Sequence, residues 1–124
     1  RITTGVMHQM WTKIEPNGVI FVTQTMLDKS IIDANKTVQE FAKYHLLIEY
    51  DMFEAGDSWV FPMLLKQDDM EYVLNVKFYK TKGRGDKRVS IEKLGRFAQA
   101  RDLVTLWVDD DMNGRIDIEH DAFG

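Results

Sequence analysis

The chain contains no cysteine among its 124 residues. Disulfides, thiolate nucleophiles and zinc sites with cysteine ligands are therefore excluded. The sequence also lacks an apolar run that approaches the roughly 20 residues needed for a membrane-spanning helix, and no signal-peptide pattern begins it. These absences predict a protein without membrane contact, with the cytoplasm as its default location.

Motifs that would indicate catalysis are also missing. The sequence has no nucleophile elbow, phosphate-binding glycine loop or dinucleotide fingerprint. The three histidines, His8, His45 and His120, share no spacing typical of a metal site. Acidic residues are abundant, but no pattern pairs them for hydrolysis. We therefore expect a protein that is not an enzyme and has no cofactor.

The residues that are present are typical of one soluble domain. Hydrophobic residues make up 44% of the chain and charged residues 29%, proportions that favour a folded over a disordered protein. A chain of this length buries about two-thirds of its unfolded surface, which is sufficient for an independent core. Because no linker or repeat divides the sequence, residues 1–124 are expected to form a single domain.

Patterns in the first half predict a hairpin followed by a helix. Residues 6–14 and 19–27 are rich in β-forming side chains, and the intervening Glu-Pro-Asn-Gly sequence is typical of a turn. Ser30 and Asp33 have the spacing of a capping box, and apolar residues then recur at helical spacing. The sequence therefore predicts one principal helix over residues 31–47.

The second half is dominated by strand patterns. Apolar residues predict strands over residues 59–65, 71–80 and 103–108 and around Val89 and Ile91. Pro62 cannot donate to a sheet ladder, so it predicts an edge position or a bulge. Together these patterns predict an α+β domain with a mostly antiparallel sheet of six or seven strands. The helix either covers the sheet or accompanies a partly closed barrel.

A basic loop is predicted at residues 80–88, between two strands. Its candidate anion-binding residues are Lys80, Lys82, Arg84, Lys87 and Arg88. The segment has a net charge of +4, whereas the rest of the chain sums to −8. Because Lys and Arg neutralise phosphates and glycine lets an anion approach, the loop indicates contact with nucleic acid. Two other interpretations are contact with an acidic protein surface and a solvated turn that opposes aggregation.

An acidic segment at residues 109–121 has the oxygen spacing of a calcium loop. The candidate ligands are Asp109, Asp111, Asn113, Asp117 and Asp121. These residues resemble the loop of an EF-hand, but His120 takes the place of its last acidic ligand and a strand pattern precedes the loop. The alternative interpretation is a hairpin with a two-residue turn at Asn113 and Gly114, in which the carboxylates point to water.

The two oppositely charged loops lead to a functional hypothesis. We expect a non-catalytic binding or assembly module, in which the basic loop of one copy contacts the acidic loop of another. A nucleic-acid-binding domain that uses residues 80–88 is one alternative. A weak divalent-cation-binding protein that uses residues 109–121 is the other.

Overall fold

The computed structural model describes residues 13–122. Seven strands of this part of the chain form one sheet. The strands are β1 (Gly18–Phe21), β2 (Ile32–Asp33), β3 (Ser58–Gln67), β4 (Met70–Lys80), β5 (Lys87–Ile91), β6 (Leu103–Val108) and β7 (Gly114–Glu119). Their order across the sheet is β1-β6-β7-β3-β4-β5-β2. Neighbouring strands are antiparallel except β3 and β7, and the sheet forms a half-barrel. The predicted α+β class with a mostly antiparallel, partly closed sheet is confirmed.

Three helices and one 3-10 turn accompany the sheet within residues 13–122. They are α1 (Gln24–Lys29), α2 (Lys36–Leu46), the turn Tyr50–Met52 and α3 (Leu94–Phe97). Only α2 is longer than seven residues, which confirms one principal helix. Its buried side chains, Val38, Phe41 and Ala42, lie on the face that contacts β1 and β6. None of these helices is long and apolar enough to span a bilayer.

The principal helix begins later than the predicted bounds of 31–47. Asn35 caps α2, because its side-chain oxygen accepts a hydrogen bond from the N–H of Val38 at 3.0 Å. Ile32 instead lies in β2, where it is buried and paired with β5. Ser30, the predicted cap, ends α1 in the left-handed conformation. The capping-box prediction was wrong because burial of Ile32 in the sheet places residues before Asn35 outside the helix.

The predicted strand over residues 19–27 ends at Phe21. Thr23 caps α1 by accepting a hydrogen bond from the N–H of Met26 at 3.2 Å, so the segment is helical from Gln24 onward. Among the described residues, β1 pairs with β6 along its whole length. Residues 6–12 of the strand predicted over residues 6–14 lie outside the described residues.

The strand predictions for the second half are confirmed, with changed bounds for β3. β3 and β4 form a long hairpin that turns at Asp68 and Asp69, both of which have positive φ. Leu74, Val76 and Phe78 are buried while their neighbours in β4 are more exposed, as a period of two predicts. β6 lies between β1 and β7, and both of its edges are paired.

The core joins α2 to one face of the sheet. Its largest fully buried side chains include Phe41, Phe78, Ile20, Met63, Leu65, Leu106 and Ile116. Phe41 comes from α2, and the others come from five different strands. A single apolar cluster therefore holds the helix and the sheet together.

Candidate functional site

The basic loop connects β4 to β5, and two of its cations, Lys80 and Lys87, contact the preceding part of the chain. Lys87 Nζ lies 2.7 Å from Asp51 Oδ1. The hydrogen bond and the charge of Lys87 lower the pKa of Asp51. Lys80 Nζ donates to the carbonyl oxygen of Phe53 at 3.1 Å. Two of the five predicted anion contacts are therefore engaged within the chain.

A third cation, Arg88, lies between two acidic side chains. Its guanidinium is 3.0 Å from the carboxylate of Asp33 and 3.2 Å from that of Asp86. Lys82 and Arg84 are exposed at the tip of the loop. The Arg84 side chain is 87% exposed and 3.9 Å from Asp86. The loop therefore presents two exposed cations instead of a row of five, and local acids weaken the positive potential around them.

The acidic hairpin turns through a five-residue loop, not through a two-residue turn. Pairing of β6 with β7 leaves residues 109–113 between the strands. The Asp109 carboxylate accepts hydrogen bonds from the N–H groups of Asp111 and Asn113, both at 2.9 Å. The predicted turn at Asn113 and Gly114 was wrong because the Asp109 side chain supplies the hydrogen bonds that close a longer loop.

Asp109 is buried, which contradicts the prediction that this carboxylate points to water. Its side chain is 3% exposed, and Arg115 Nε donates to its Oδ2 at 2.6 Å. Burial alone would raise the pKa of Asp109, but Arg115 and the two backbone donors outweigh that effect and lower the pKa. Arg115 also lies 3.3 Å from Glu71 of β4. The hairpin is thereby anchored to the neighbouring part of the sheet.

The other candidate calcium ligands lie in separate contacts. Asp117, on β7, forms an ion pair with Lys13 at 3.0 Å. Asp121 follows β7 and pairs with Arg101 at 3.1 Å. Asp111 is exposed in the hairpin loop. Within residues 13–122, no three acidic or histidine side chains are grouped so that they could hold a metal ion.

A buried aspartate and a histidine meet at the end of β7 that lies away from the acidic hairpin loop. Sequence patterns did not indicate these two residues as a pair. Asp102 Oδ2 lies 2.8 Å from His120 Nδ1, and the carboxylate accepts hydrogen bonds from the N–H groups of Gln99 and Asp121. Burial raises the pKa of Asp102, but these hydrogen bonds outweigh it and lower the pKa. No sequence spacing signals this pair, because its members meet only when β6 pairs with β7.

A cavity between α1, β5 and α3 has a volume of 160 Å³. Its walls include Met26, Leu27, Ile32, Ile91 and Leu94. This volume is below the roughly 300–1,000 Å³ of pockets that hold small organic ligands. The cavity is therefore better explained as a gap between packed elements than as a substrate site.

One side of β3 is only partly covered. β3 pairs with β4 over all ten of its residues. On its other side, β7 pairs only with Leu64 and Leu65. No strand among residues 13–122 pairs with that side of residues 58–62. Pro62 lies in this stretch, and its missing N–H fits the predicted edge position.

Main-chain groups on this uncovered side point away from β4. Asn75, opposite Pro62, accepts a hydrogen bond from the Glu92 N–H at 2.9 Å and donates its own N–H to the Glu92 carboxylate at 3.2 Å, both away from β3. Because bonded and non-bonded pairs alternate in antiparallel ladders, Ser58, Val60 and Pro62 direct their main-chain groups away from β4. We name this stretch, residues 58–62, the β3 edge.

The β3 edge carries two large exposed hydrophobic side chains. Trp59 and Val60 are 52% and 54% exposed, and they point to opposite faces of the sheet. The Trp59 ring lies 6.0 Å from that of Phe53, which lies 5.7 Å from the buried Tyr50. Tyr50 in turn donates its hydroxyl to the Arg88 carbonyl at 2.7 Å. Trp59 is therefore supported on one side while about half of its surface faces solvent.

Comparisons of the chain with protein-family models, curated proteins and solved structures found no match. The geometry of the chain itself therefore has to distinguish its candidate surfaces. The β3 edge combines exposed hydrophobic side chains with main-chain donors and acceptors that no strand in the described part of the chain pairs, whereas the charged loops mostly contact their own chain. Sequence patterns did not indicate this edge as a site, and the available signal was Pro62 within a hydrophobic strand pattern.

Proposed function

We propose that this chain is a non-catalytic binding module that adds a strand from another polypeptide to its sheet at the β3 edge. The observation that carries the proposal is a side of β3 that no strand among residues 13–122 pairs, next to an exposed tryptophan. When a strand is added to a sheet edge, main-chain hydrogen bonds supply affinity and alternate side chains supply specificity.

The buried carboxylates support a role in binding instead of catalysis. Asp102 and Asp109 are the buried acidic residues among those described, and each accepts hydrogen bonds from two backbone N–H groups as well as from a basic side chain. Their lowered pKa values favour the ionised form that these donors require. Both groups therefore hold loops in place and are poorly suited to take up a proton during a reaction.

The direction of the main-chain groups defines the kind of partner. Ser58 and Val60 each offer an N–H and a carbonyl, while Pro62 offers only a carbonyl. The residue of an added strand that lies opposite Pro62 can therefore donate its N–H to the Pro62 carbonyl, but its own carbonyl receives no hydrogen bond from Pro62. Because Trp59 and Val60 are exposed on opposite faces, we expect a short extended peptide with apolar side chains on both faces.

A selection from random peptides displayed on phage tests this function. We expect extended apolar peptides to bind, and Val60→Pro to weaken their binding about tenfold or more, because it removes the central N–H of the edge. Val60→Thr is the matched control, since it keeps that N–H and the β-branched shape. The proposal fails if no peptide is selected, or if the selected peptides bind the Val60→Pro variant as tightly as the unmodified protein.

A further inference from the structure

We infer that the strand added at the β3 edge is the β3 edge of a second copy, which gives a two-fold symmetric dimer with one continuous sheet. This inference rests on the proposed function and names its partner. A two-fold interface requires a surface that matches itself, since a contact between residue i of the first copy and residue j of the second also occurs between residue j of the first and residue i of the second. The β3 edge meets this requirement in hydrogen bonding, side-chain packing, charge and length.

Hydrogen bonding is self-complementary when the symmetry axis passes between the two copies of Val60. Each Val60 then donates its N–H to, and accepts from, Val60 of the second copy, as in a bonded antiparallel pair. Ser58 lies opposite Pro62 of the second copy, so that the Ser58 N–H donates to the Pro62 carbonyl. Because Pro62 has no N–H, the carbonyl of the Ser58 opposite it receives no hydrogen bond from the second copy and binds water instead. Proline at this position therefore limits the pairing without preventing it.

Side chains match in the same register. Trp59 lies opposite Phe61 of the second copy in a non-bonded pair, where cross-strand side chains approach most closely. Within each copy, Trp59 pairs with Phe78 of β4 and Phe61 pairs with Val76 of β4. The apolar row on this face of the sheet thereby continues from one copy into the next. The half-exposed Trp59 gains an aromatic neighbour on its open side.

Charge and length also favour a second copy. Residues 58–62 contain no charged side chain, so self-pairing opposes no like charges. The edge is limited at one end by β7, which pairs with Leu64, and at the other by the turn at Gly56, whose φ is +94°. Two identical short edges therefore fit side by side before either chain turns away. Such pairing buries less than the roughly 1,600 Å² of a standard interface, so we expect a dimer that dissociates on dilution.

Sedimentation equilibrium of the complete chain provides the first test, over protein concentrations from about 1 µM to about 1 mM. We expect a reversible monomer–dimer equilibrium. Val60→Pro should raise the dimer dissociation constant about tenfold or more, while Val60→Thr should leave it within about threefold. Circular dichroism of both variants establishes that they are folded. A dimer that Val60→Pro does not weaken would overturn the inference.

A distance measurement supplies a test that leaves the edge unchanged. The chain has no cysteine, so Lys77→Cys introduces a single site for a nitroxide label. Lys77 lies next to Val60 in β4, which places the two Lys77 Cα atoms of the dimer three strand spacings apart, or about 14 Å. We expect dipolar broadening of the EPR spectrum that is lost on dilution. A concentrated dimer without this broadening would contradict pairing through β3.

The two proposals fail in different ways. A chain that remains monomeric at every concentration but still binds selected peptides in a manner sensitive to Val60→Pro overturns only the choice of a second copy. A chain that shows neither dimer nor peptide binding overturns the binding function of the β3 edge as well. Dimerisation that competes with a selected peptide would support both proposals, because the peptide and the second copy would occupy the same edge.

Discussion

Arg115 Nε donates to the buried carboxylate of Asp109 at 2.6 Å, and this ion pair lies where the hairpin loop meets β7. Because Asp109 also holds the loop, β7 begins only at Gly114. In the parallel pairing of β3 with β7, Leu64 lies beside Arg115. The residues before Gly114 belong to the hairpin loop, which lies outside the sheet, so they do not pair with the first half of β3. The position of the acidic hairpin turn therefore explains why β7 does not pair with the β3 edge.

Replacement of Asp109 should be strongly destabilising. Asp109→Ala removes one partner of the buried Arg115 guanidinium, which keeps its contact with Glu71, and leaves the N–H groups of Asp111 and Asn113 without their side-chain acceptor. Breaking a buried ion pair in this way costs about 3 kcal/mol or more. Urea unfolding measures this loss. Asp110→Ala, in the same loop but exposed, should change the free energy of unfolding by less than about 0.5 kcal/mol, and equal effects of the two variants would contradict this account.

Acid should destabilise the protein through Asp102. Despite burial, its hydrogen bonds hold the folded-state pKa below the usual 3.8, so the unfolded chain binds more protons below that pH. The contribution of Asp102 is fully present above pH 3.8 and is lost as the pH falls through the lowered folded-state pKa. Urea unfolding at a series of pH values should therefore show a shallower acid-induced decline for Asp102→Asn. An unchanged decline would show that this carboxylate does not contribute.

The basic loop should contain one arginine that stabilises the fold and one that does not. The Arg88 side chain is 18% exposed and contacts Asp33 and Asp86, whereas the Arg84 side chain is 87% exposed. We expect Arg88→Ala to cost about 1 kcal/mol of unfolding free energy and Arg84→Ala to have almost no effect. Thermal unfolding of the two variants side by side checks this difference. A larger loss from Arg84→Ala would show that the ion pairs of the loop are wrongly assigned.

Calcium should not stabilise the acidic hairpin beyond a general salt effect. The Asp109 carboxylate already binds Arg115 and two N–H groups, and Asp117 and Asp121 pair with other cations. Calcium that bound the folded state specifically would raise the melting temperature by mass action. We expect millimolar calcium to change the melting temperature no more than sodium chloride of equal ionic strength. A calcium-specific increase that Asp111→Ala abolishes would revive the cation-binding hypothesis.

Strands with a clear apolar alternation could be predicted from the sequence, whereas the start of α2 could not. β4 shows the expected alternation because the face that carries Leu74, Val76 and Phe78 packs on the core. The start of α2 depended on competition between Ser30 and Asn35, two residues that are both suited to capping. Burial of Ile32 beside β5 decided between them, and that contact between distant parts of the chain has no local signature.

The candidate site was less predictable than the fold for a related reason. The composition of residues 80–88 and 109–121 indicated charged surfaces, but Asp51 and Asp33, which bind the cations of the basic loop, come from distant segments. Asp109 resembled a solvated acid because the sequence does not reveal that Arg115 folds back onto it. Pro62 predicted an edge position or a bulge, and it lies on a side of β3 that no strand among residues 13–122 pairs at that point. Whether such an edge is covered depends on the length of a neighbouring strand, which only the folded chain determines.

Amide hydrogen exchange at two adjacent residues tests the central claim most directly. The Trp59 N–H belongs to a bonded pair with Phe78, whereas the Val60 N–H faces the uncovered side of β3. In dilute protein we predict slow exchange at Trp59 and rapid exchange at Val60. Exchange at Val60 should then slow as the protein concentration rises or a selected peptide is added, while exchange at Trp59 remains slow. Slow exchange at Val60 already in the dilute monomer would contradict the account, because the β3 edge would then be covered within a single chain.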